Sequence, residues 1–498
     1  MQRITADTSW PLHGIAASRQ LESLSQTGLP PQALMQRAGL SVARLALALA
    51  PHGRHAWIAC GPGNNGGDGF EAALQLQRMG WHISLNEVRS SSTPADAQLA
   101  RQRALEAGLR LQEQAPERFD IAIDALLGLG GELSTQRPGS AQMQQWLATM
   151  YASGKPVLAV DLPSGLNGDT GQGGLDWSPG EQRHTLSLLS LKPGLLTAHG
   201  RDQSGHLWFD PLGADLNRVP ATAWLLGADQ LPRLDKALAA HASHKGSYGD
   251  VRVVGGIEAP HEGASMAGAA LLAARAALHG GAGRVYVSLL GQPTLHCDPQ
   301  QPELMFQPWG AMAPSTSGQA IVCGCGAGQA AAAALPQVLA HSGPVVLDAD
   351  ALNAIAAEAP LRRQLRRRQR PDTVLTPHPL EAARLLGGTA SQVQADRLHA
   401  AQSLADEMAC TVVLKGSGSI VAAPGRTVQV NPTGNALLAT AGTGDVLAGM
   451  VGAALARGLS GWDAARWAVH HHGATADAWA RRRPGQAMCA SALIASTL

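Results

Sequence analysis

The chain is short of charge, aromatic rings and cysteine, and each shortage removes a class of protein. Charged residues make up 15% of 498 and the net charge is +1, so no global field draws the chain to nucleic acid or to an anionic membrane. Aromatics are 4%, and the 11 tryptophans form no spaced stripe; Trp10 and Trp57 are expected in the core. The six cysteines (Cys60, Cys297, Cys323, Cys325, Cys410, Cys489) include no CxxC pair. That argues against a disulfide framework or a zinc site and points to a reducing cytosol. No apolar run approaches the roughly 20 residues of a membrane-spanning helix. The segment MQRITADTSWPLHG has no apolar signal-peptide core, so no signal peptide is expected and the reading is cytoplasmic. There is no short-period repeat.

What is abundant is glycine, with 57 residues, in a chain that is 45% hydrophobic. This suits an Ala/Gly-rich α/β enzyme, and the length predicts two or three domains. In the first half Trp57-Ile-Ala-Cys60 leads into a Gly-rich turn and then a helix from about Phe70 to Met79. A strand is expected over His82 to Val88 and a helix over Ala97 to Ala107. Asp120 to Asp124 and Val157 to Asp161 are apolar runs ending in Asp. The pattern predicts a Rossmann-like parallel sheet, whose ligands bind at the carboxyl ends of its strands. The second half alternates in the same way. Strands are expected near Asp250–Gly255, Arg284–Ser288, Ala320–Cys323, Pro344–Asp348, Thr411–Lys415 and Ser419–Ala422, with an Ala-rich helix over Ala267–His279. Proline and glycine punctuate Asp210 to Lys236, where the domain boundary is placed.

Three loops in the first half carry chemistry. Gly61-Pro-Gly63-Asn64-Asn65-Gly66-Gly67-Asp68-Gly69 satisfies the dinucleotide fingerprint, with Glu87 about twenty residues on in the place of a ribose acid. Its Asn and Asp side chains suggest hydroxyl, amide or cation contacts as well. Asp124 precedes a second glycine loop, Gly128 to Ser134. Asp161-Leu-Pro-Ser164 opens a third. Asn65, Asp124 and Ser164 supply hard oxygen donors at three strand ends, which suits a hard monovalent or divalent cation. Each loop alone also reads as turn chemistry.

In the second half the run Asn435 to Gly444, followed by Asp445 and an apolar stretch, is the most informative. Two glycines free the backbone to approach a ligand, and a helix start offers N–H groups and partial positive charge to an anion. A carboxylate beside a phosphate handles a proton or a metal, so Asp445 reads as a base toward a hydroxyl in phosphoryl transfer. The competing reading is a Gly-rich turn with Asp as cap. Lys415-Gly416-Ser417-Gly418-Ser419 is a strand-to-strand turn able to wrap phosphates; it is not a Walker loop. His378, between Pro377 and Pro379, ends a strand. Leu361 to Arg370, a dense basic run, reads as a solvated helix face rather than an RNA site, and His470-His471-His472 as part of a packed helix.

PGNNGGDGF, DALLGLG, VDLPSGLNGDTG and Leu191-Lys192-Pro193-Gly194 resemble the NAD(P)H-hydrate epimerase family over roughly residues 10 to 220, which implies an epimerase domain at 1–220. The resemblance implies that Asn64, Asn65, Gly66, Gly67, Asp68, Gly128, Leu129, Gly130, Gly131, Glu132, Leu133, Ser134 and Asp161 contact the hydrated nucleotide. It implies potassium on Asn65, Asp124 and Ser164. Asp161 is the chosen acid/base, with Lys192 as a supporting charge. Asp348-Ala-Asp350, TPHP, KGSGS, NPTGN and AGTGDVLAG resemble the ADP-dependent NAD(P)H-hydrate dehydratases over 235–498, which implies a ribokinase-like α/β fold. Ala269, Gly328, His378 and Asp445 are then implied to contact the hydrate, and Lys415, Gly416, Ser417, Gly418, Ser419 and Gly444 the nucleotide, ADP, which binds with Mg2+. The chain departs from the usual GPGLG at Gly324-Cys325-Gly-Ala-Gly328, and from HPGE at His378-Pro-Leu380-Glu381. The reading is a bifunctional repair enzyme acting on small molecules. A homo-oligomer is expected, since Gly-rich α/β enzymes often associate. Its rivals are a ribokinase-like small-molecule kinase and, for the first half, a non-catalytic nucleotide-binding module.

Overall fold

Short runs rich in Val, Ile, Leu and Ala become buried strands here because a parallel sheet is covered on both faces and needs no polar side. The computed structural model describes all residues except 91, 130, 132, 135, 137, 174–181, 235–239, 260–263, 312–318, 369, 371 and 497–498. The chain divides into two units, Met1–Thr5 with Trp10–Leu225 and Ala6–Ser9 with Leu226–Leu498.

The first unit is built on a 7-stranded sheet in the order Gln2–Arg3, His206–Asp210, Arg183–Leu188, Val157–Val160, Ile121–Ala125, His55–Cys60, His82–Glu87. Only the Gln2–Arg3 edge pairs antiparallel. Alternate residues of one strand feed opposite layers. Ile58 and Ile123 join helices Ala33–Leu49 and Asn64–Arg78 on one face. Trp57 and Ala122 join helix Ser140–Ala152 on the other. Each such buried aliphatic or aromatic side chain contributes about 1.5–3 kcal/mol. Trp57 is fully buried, and its indole donates to Asn86 at 2.8 Å. Trp10 is only half-buried and meets the edge of Phe209.

One boundary moves in an instructive way. The expected Gly-rich turn before Phe70 is already helix, which starts at Asn64. Its glycines are there for close packing. A Cβ on Gly66 would lie 1.9 Å from the Gly61 carbonyl oxygen, and one on Gly69 would lie 2.6 Å from Ala125 Cβ. The polar residues Asn64 to Asp68 are thereby held in the first turns of a helix at the sheet's carboxyl edge.

The second unit has a sheet in the order Met305–Phe306, Arg284–Gly291, Asp250–Ala259, Gln319–Cys323, Val345–Leu347, Thr373–Leu375, Thr411–Leu414, Ile420–Ala422, Gln429–Val430. It is parallel as far as Thr411–Leu414 and closes with antiparallel pairings. The helix Ala267–His279 has the expected bounds. It packs against Thr443–Ala456 so closely that a Cβ on Gly449 would lie 2.1 Å from the Ala273 carbonyl oxygen. Both halves are thus α/β with mainly parallel sheets, as expected. No helix among the described residues is long and apolar enough to cross a membrane.

Candidate active sites

In the first unit the carboxyl ends of the strands open into a cavity of about 520 Å³. Asn64, Asn65, Asp68, Gly128, Leu129, Gly131, Asp161 and Lys192 line it, together with Glu22, Met35, Leu126 and Leu127. Asp161 follows strand Val157–Val160 with φ 68, a left-handed conformation. Its N–H donates to the Leu186 carbonyl at 2.8 Å. Its carboxylate accepts from the Leu188 N–H at 3.0 Å and from the Lys192 ammonium. Lys192 is 1% exposed and also donates to the Leu188 carbonyl at 2.9 Å. A buried ammonium held on one carboxylate oxygen orients that carboxylate toward the cavity chemistry.

Burial, and then the charges of Asp161 and Glu22, push the Asp68 carboxyl well above its usual range. Burial, and then the Asp161 charge, also raise the Glu22 carboxyl. The cavity therefore holds two carboxyls inclined to keep a proton beside an ion-paired Asp161, the pairing that splits acid from base roles. Glu22, on helix Ile15–Gln26, is a site residue that sequence reasoning does not find; a Glu in an amphipathic helix carries no local mark of facing a site.

Asp124 and Ser164 meet directly: the hydroxyl donates to Oδ1 at 2.6 Å and the Ser164 N–H to Oδ2 at 3.0 Å. Asp124 is fully buried, and burial raises its carboxyl despite these bonds. Asn65 is packed against Gly128, and its amide nitrogen is buried without a hydrogen-bond partner.

Other expected contacts are not brought to the cavity wall. Gly66 and Gly67 are buried in packing against Gly61 and Met35. Leu133 packs beside Gly165, and Ser134 is exposed. Gly130 and Glu132 lie outside the described residues. Glu87, expected as a ribose acid, is paired with Arg101 at 2.7 Å and Arg89 at 3.0 Å.

In the second unit Asp445 stands in the first turn of helix Thr443–Ala456, whose N-cap Gly442 has φ 89. Burial, and then the Asp348 charge, push its carboxyl up to about 6, against a hydrogen bond from Cys325 and the charge of Lys415. The Lys415 ammonium donates to Asp348 at 2.7 Å. Burial opposes its charge, but the Asp348 and Glu381 carboxylates hold it above the usual range. A Cβ on Gly444 would lie 3.4 Å from the Lys415 nitrogen, so the predicted nucleotide residues Lys415 and Gly444 adjoin Asp445. Gly328 donates its N–H to Asp350 at 2.8 Å, and Ala269 faces the same loop at Gly326.

His378 caps helix Pro379–Leu386 in a reciprocal capping box with Glu381. Burial pushes Glu381 up to about 7. Leu380, the residue at which His378-Pro-Leu380-Glu381 departs from HPGE, is 45% exposed in the first turn of that helix. The loop Gly416 to Ser419 links two antiparallel strands. Beneath it Arg397, 1% exposed, donates to the carbonyls of Lys415 at 3.2 Å and Leu414 at 3.4 Å. Sequence reasoning also misses Arg397, which lies in no motif, and gives no role to Cys325, although it stands within the Gly324 to Gly328 loop. NPTGN is tied to helix Gly461–Arg482 through Asp477, which accepts from Gly434 and Asn435. The His tract is packed as expected: each ring bonds a backbone carbonyl, of Ala6, Trp467 and Thr443. The basic run is less solvated than expected. Arg363, Arg366 and Arg367 are exposed, but Arg362 bonds Leu385 and Glu407, and Arg368 bonds the Leu339, His341 and Gly343 carbonyls.

Comparison with known proteins follows the same division. The family profile "YjeF-related protein N-terminus" matches residues 31–194, and that of NAD(P)H-hydrate dehydratase matches 253–497. The bifunctional NAD(P)H-hydrate repair enzyme Nnr of Escherichia coli is 35% identical over 495 residues, 95% of this chain and 90% of that protein. The Coxiella burnetii protein of the same name is 35% identical, covering 92% and 93%. The ADP-dependent (S)-NAD(P)H-hydrate dehydratase of Neisseria meningitidis is 43% identical over 254 residues, 50% of this chain and 82% of its own. A crystal structure of the Bacillus subtilis ADP/ATP-dependent NAD(P)H-hydrate dehydratase, co-crystallised with ATP/Mg2+, aligns with a TM-score of 0.43 at 28% identity, covering 54% of this chain and 92% of that one.

Proposed function

Because this chain belongs to the family of bifunctional NAD(P)H-hydrate repair enzymes, we propose that its first unit interconverts the R and S hydrates. Its second unit dehydrates the S form to NAD(P)H at the expense of ADP. We take residues 1–220 and 235–498 as the two catalytic domains. A dehydratase acting on one epimer needs the other converted, which gives the fusion its sense.

The observation that carries the reading is the half-buried carboxyl of Asp445 at a helix start, pushed up to about 6 and flanked by the Lys415–Asp348 pair. A hydroxyl on the hydrated ring is a poor leaving group. Asp445 takes its proton while the hydroxyl oxygen attacks the terminal phosphorus of ADP; the bond to the AMP oxygen breaks and AMP departs. The phosphorylated carbon then expels phosphate, an adjacent C–H loses its proton, and the ring double bond returns. N–H groups of the Gly442–Asp445 helix start and of the Gly416–Ser419 loop, with Lys415, stabilise charge on the transferring group. Magnesium enters as part of the nucleotide substrate. Ala269, Gly328 and His378 border the hydrate.

In the first unit Asp161, oriented by Lys192, serves as the acid/base while the hydrated carbon epimerises through proton transfer or ring opening, with Asn64, Asn65, Asp68 and the Gly128–Gly131 loop around the substrate. Asn65, Asp124 and Ser164 would offer a potassium ion oxygen donors: the fully buried Asp124 carboxylate touches the Ser164 hydroxyl, and the Asn65 side-chain oxygen faces the neighbouring Gly128 loop. Bound there, the ion would neutralise Asp124. The test is direct. Purified chain is mixed with epimeric NADPH hydrates, ADP and magnesium, and absorbance and orthophosphate are followed. Restored nicotinamide absorbance with stoichiometric orthophosphate supports the reading; a stable phosphorylated product with no restored absorbance sinks it.

A further inference from the structure

We propose that Cys325 is a positioning residue for dehydration, its thiol donating the hydrogen bond that fixes the Asp445 carboxylate for proton abstraction. The inference rests on Asp445 being the base. The Cys325 sulfur and the carboxylate oxygens of Asp348 and Asp445 all lie within 4.8 Å of one another. Cys325 is fully buried, and its thiol acts to lower the Asp445 carboxyl against the effect of burial. Asp348 already accepts from Lys415 at 2.7 Å, and we assign the thiol proton to Asp445.

The thiol is a donor rather than a nucleophile. Burial, and then the charges of Asp445 and Asp348, push it well above its ordinary range, so it keeps its proton throughout the working pH range. Its placement is rigid. Gly324 and Gly326 on either side have φ 119 and φ 59. The Cys325 carbonyl accepts from the Gly256 N–H at 2.9 Å. A Cβ on Gly255 would lie 2.3 Å from that carbonyl oxygen. A donor so held satisfies one side of the carboxylate and leaves the remaining lone pairs for the substrate proton. The family's usual proline at this position has no side-chain donor.

Other groups facing Asp445 are accounted for. Asp348 and Asp350 come from the start of helix Ala349–Ala357, and Lys415 from the end of strand Thr411–Leu414. His472 of helix Gly461–Arg482 bonds the Thr443 carbonyl and is held neutral by burial. Near Gly442, helices Ala267–His279 and Ala490–Ser496 present Leu272 and Ala490.

The experiment compares full-length wild type, Cys325→Ala, Cys325→Ser and Asp445→Asn in pH profiles of dehydratase kcat and KM, with R/S exchange in the same chain reporting folding. Cys325→Ala removes the donor; the acid limb of kcat is expected to move up by roughly half to one pH unit, with little change in KM. Cys325→Ser keeps a donor and the wild-type limb. A wild-type limb in Cys325→Ala, or equal displacement in the Ala and Ser variants, overturns the inference even if Asp445→Asn is inactive. Retained dehydration in Asp445→Asn removes instead the base assignment beneath it. Should Cys325→Ala fail to fold, Cys325→Ser decides: a displaced limb there refutes the claim that any donor suffices.

Discussion

Replacing Lys192 by methionine tests the charge arrangement of the first unit. The ammonium is 1% exposed and bonded to the Asp161 carboxylate and the Leu188 carbonyl. Methionine approximates the stem but donates nothing, leaving Asp161 beside Asp68 and Glu22 without its cation. Removing one partner of a buried ion pair costs about 3–5 kcal/mol, a large share of the roughly 5–15 kcal/mol that holds a domain folded. At about 2–4 °C per kcal/mol for a domain of this size, the first transition should fall by roughly 6–20 °C. Asp161 also holds φ 68, and such a conformation stores about 1–3 kcal/mol that its bonds must offset. Asn tolerates that backbone, so Asp161→Asn removes the charge without adding strain. The double variant, carrying no unpaired charge, should regain at least half of the lost stability; calorimetry of all four proteins gives the coupling. R/S exchange, followed chromatographically, should be lost in all three variants. A Lys192→Met transition within about 1 kcal/mol of wild type, or a double variant no better than the single, would refute the reasoning.

Asp445→Asn should lower dehydration by about 10²–10⁴-fold and leave R/S exchange intact; loss of both in a folded protein would deny independent sites. Since the base must be ionised and its carboxyl is pushed up to about 6, wild-type dehydration should fall as pH drops through about 6, and a rate flat to pH 5 would contradict this. Potassium, but not tetramethylammonium, should raise the melting temperature of the first unit, by up to about 2.7 kcal/mol of stabilisation at a hundredfold excess over Kd; Asp124→Asn should abolish the response, and an unchanged response would exclude the site. His472 is held neutral by burial, with its pKa lowered from 6.5 to about 4. The unfolded chain therefore takes up the proton first, and stability is full above 6.5 and lost as pH falls toward 4, by up to about 3 kcal/mol. His472→Gln should flatten that slope in acid unfolding curves, and an unaltered slope would locate the acid sensitivity elsewhere.

Much of the fold is legible because parallel strands must be apolar on both faces. Runs such as Val157–Val160 and Thr411–Leu414 have few other uses. Helix Ala267–His279 is readable because its alanines are bounded by glycine. The start of helix Asn64–Arg78 is not, because glycine and asparagine read locally as turn while tertiary packing against Gly61 and Ala125 demands a helix without side chains. Strands Arg183–Leu188 and His206–Asp210 escape a reading by pattern, since His, Arg and Asp break their apolar runs. At the sites, Asp161, Lys192, Asp445 and Lys415 lie in recognisable loops. Glu22 and Arg397 do not, and Cys325 lies in one without a residue type that marks its role. Their relevance arises only when a helix face, a replaced proline and a buried guanidinium are folded against those loops.

The turn from Lys415 to Ser419 joins two antiparallel strands whose register pairs Leu414 with Ile420. Sheet side chains alternate with period two, so an indel there that slipped the Leu414–Ile420 pairing by one residue would turn the side chains of strand Ile420–Ala422 to the opposite layer. Anyone retuning donor choice in this enzyme should therefore swap residues at fixed length, which leaves that pairing as it stands.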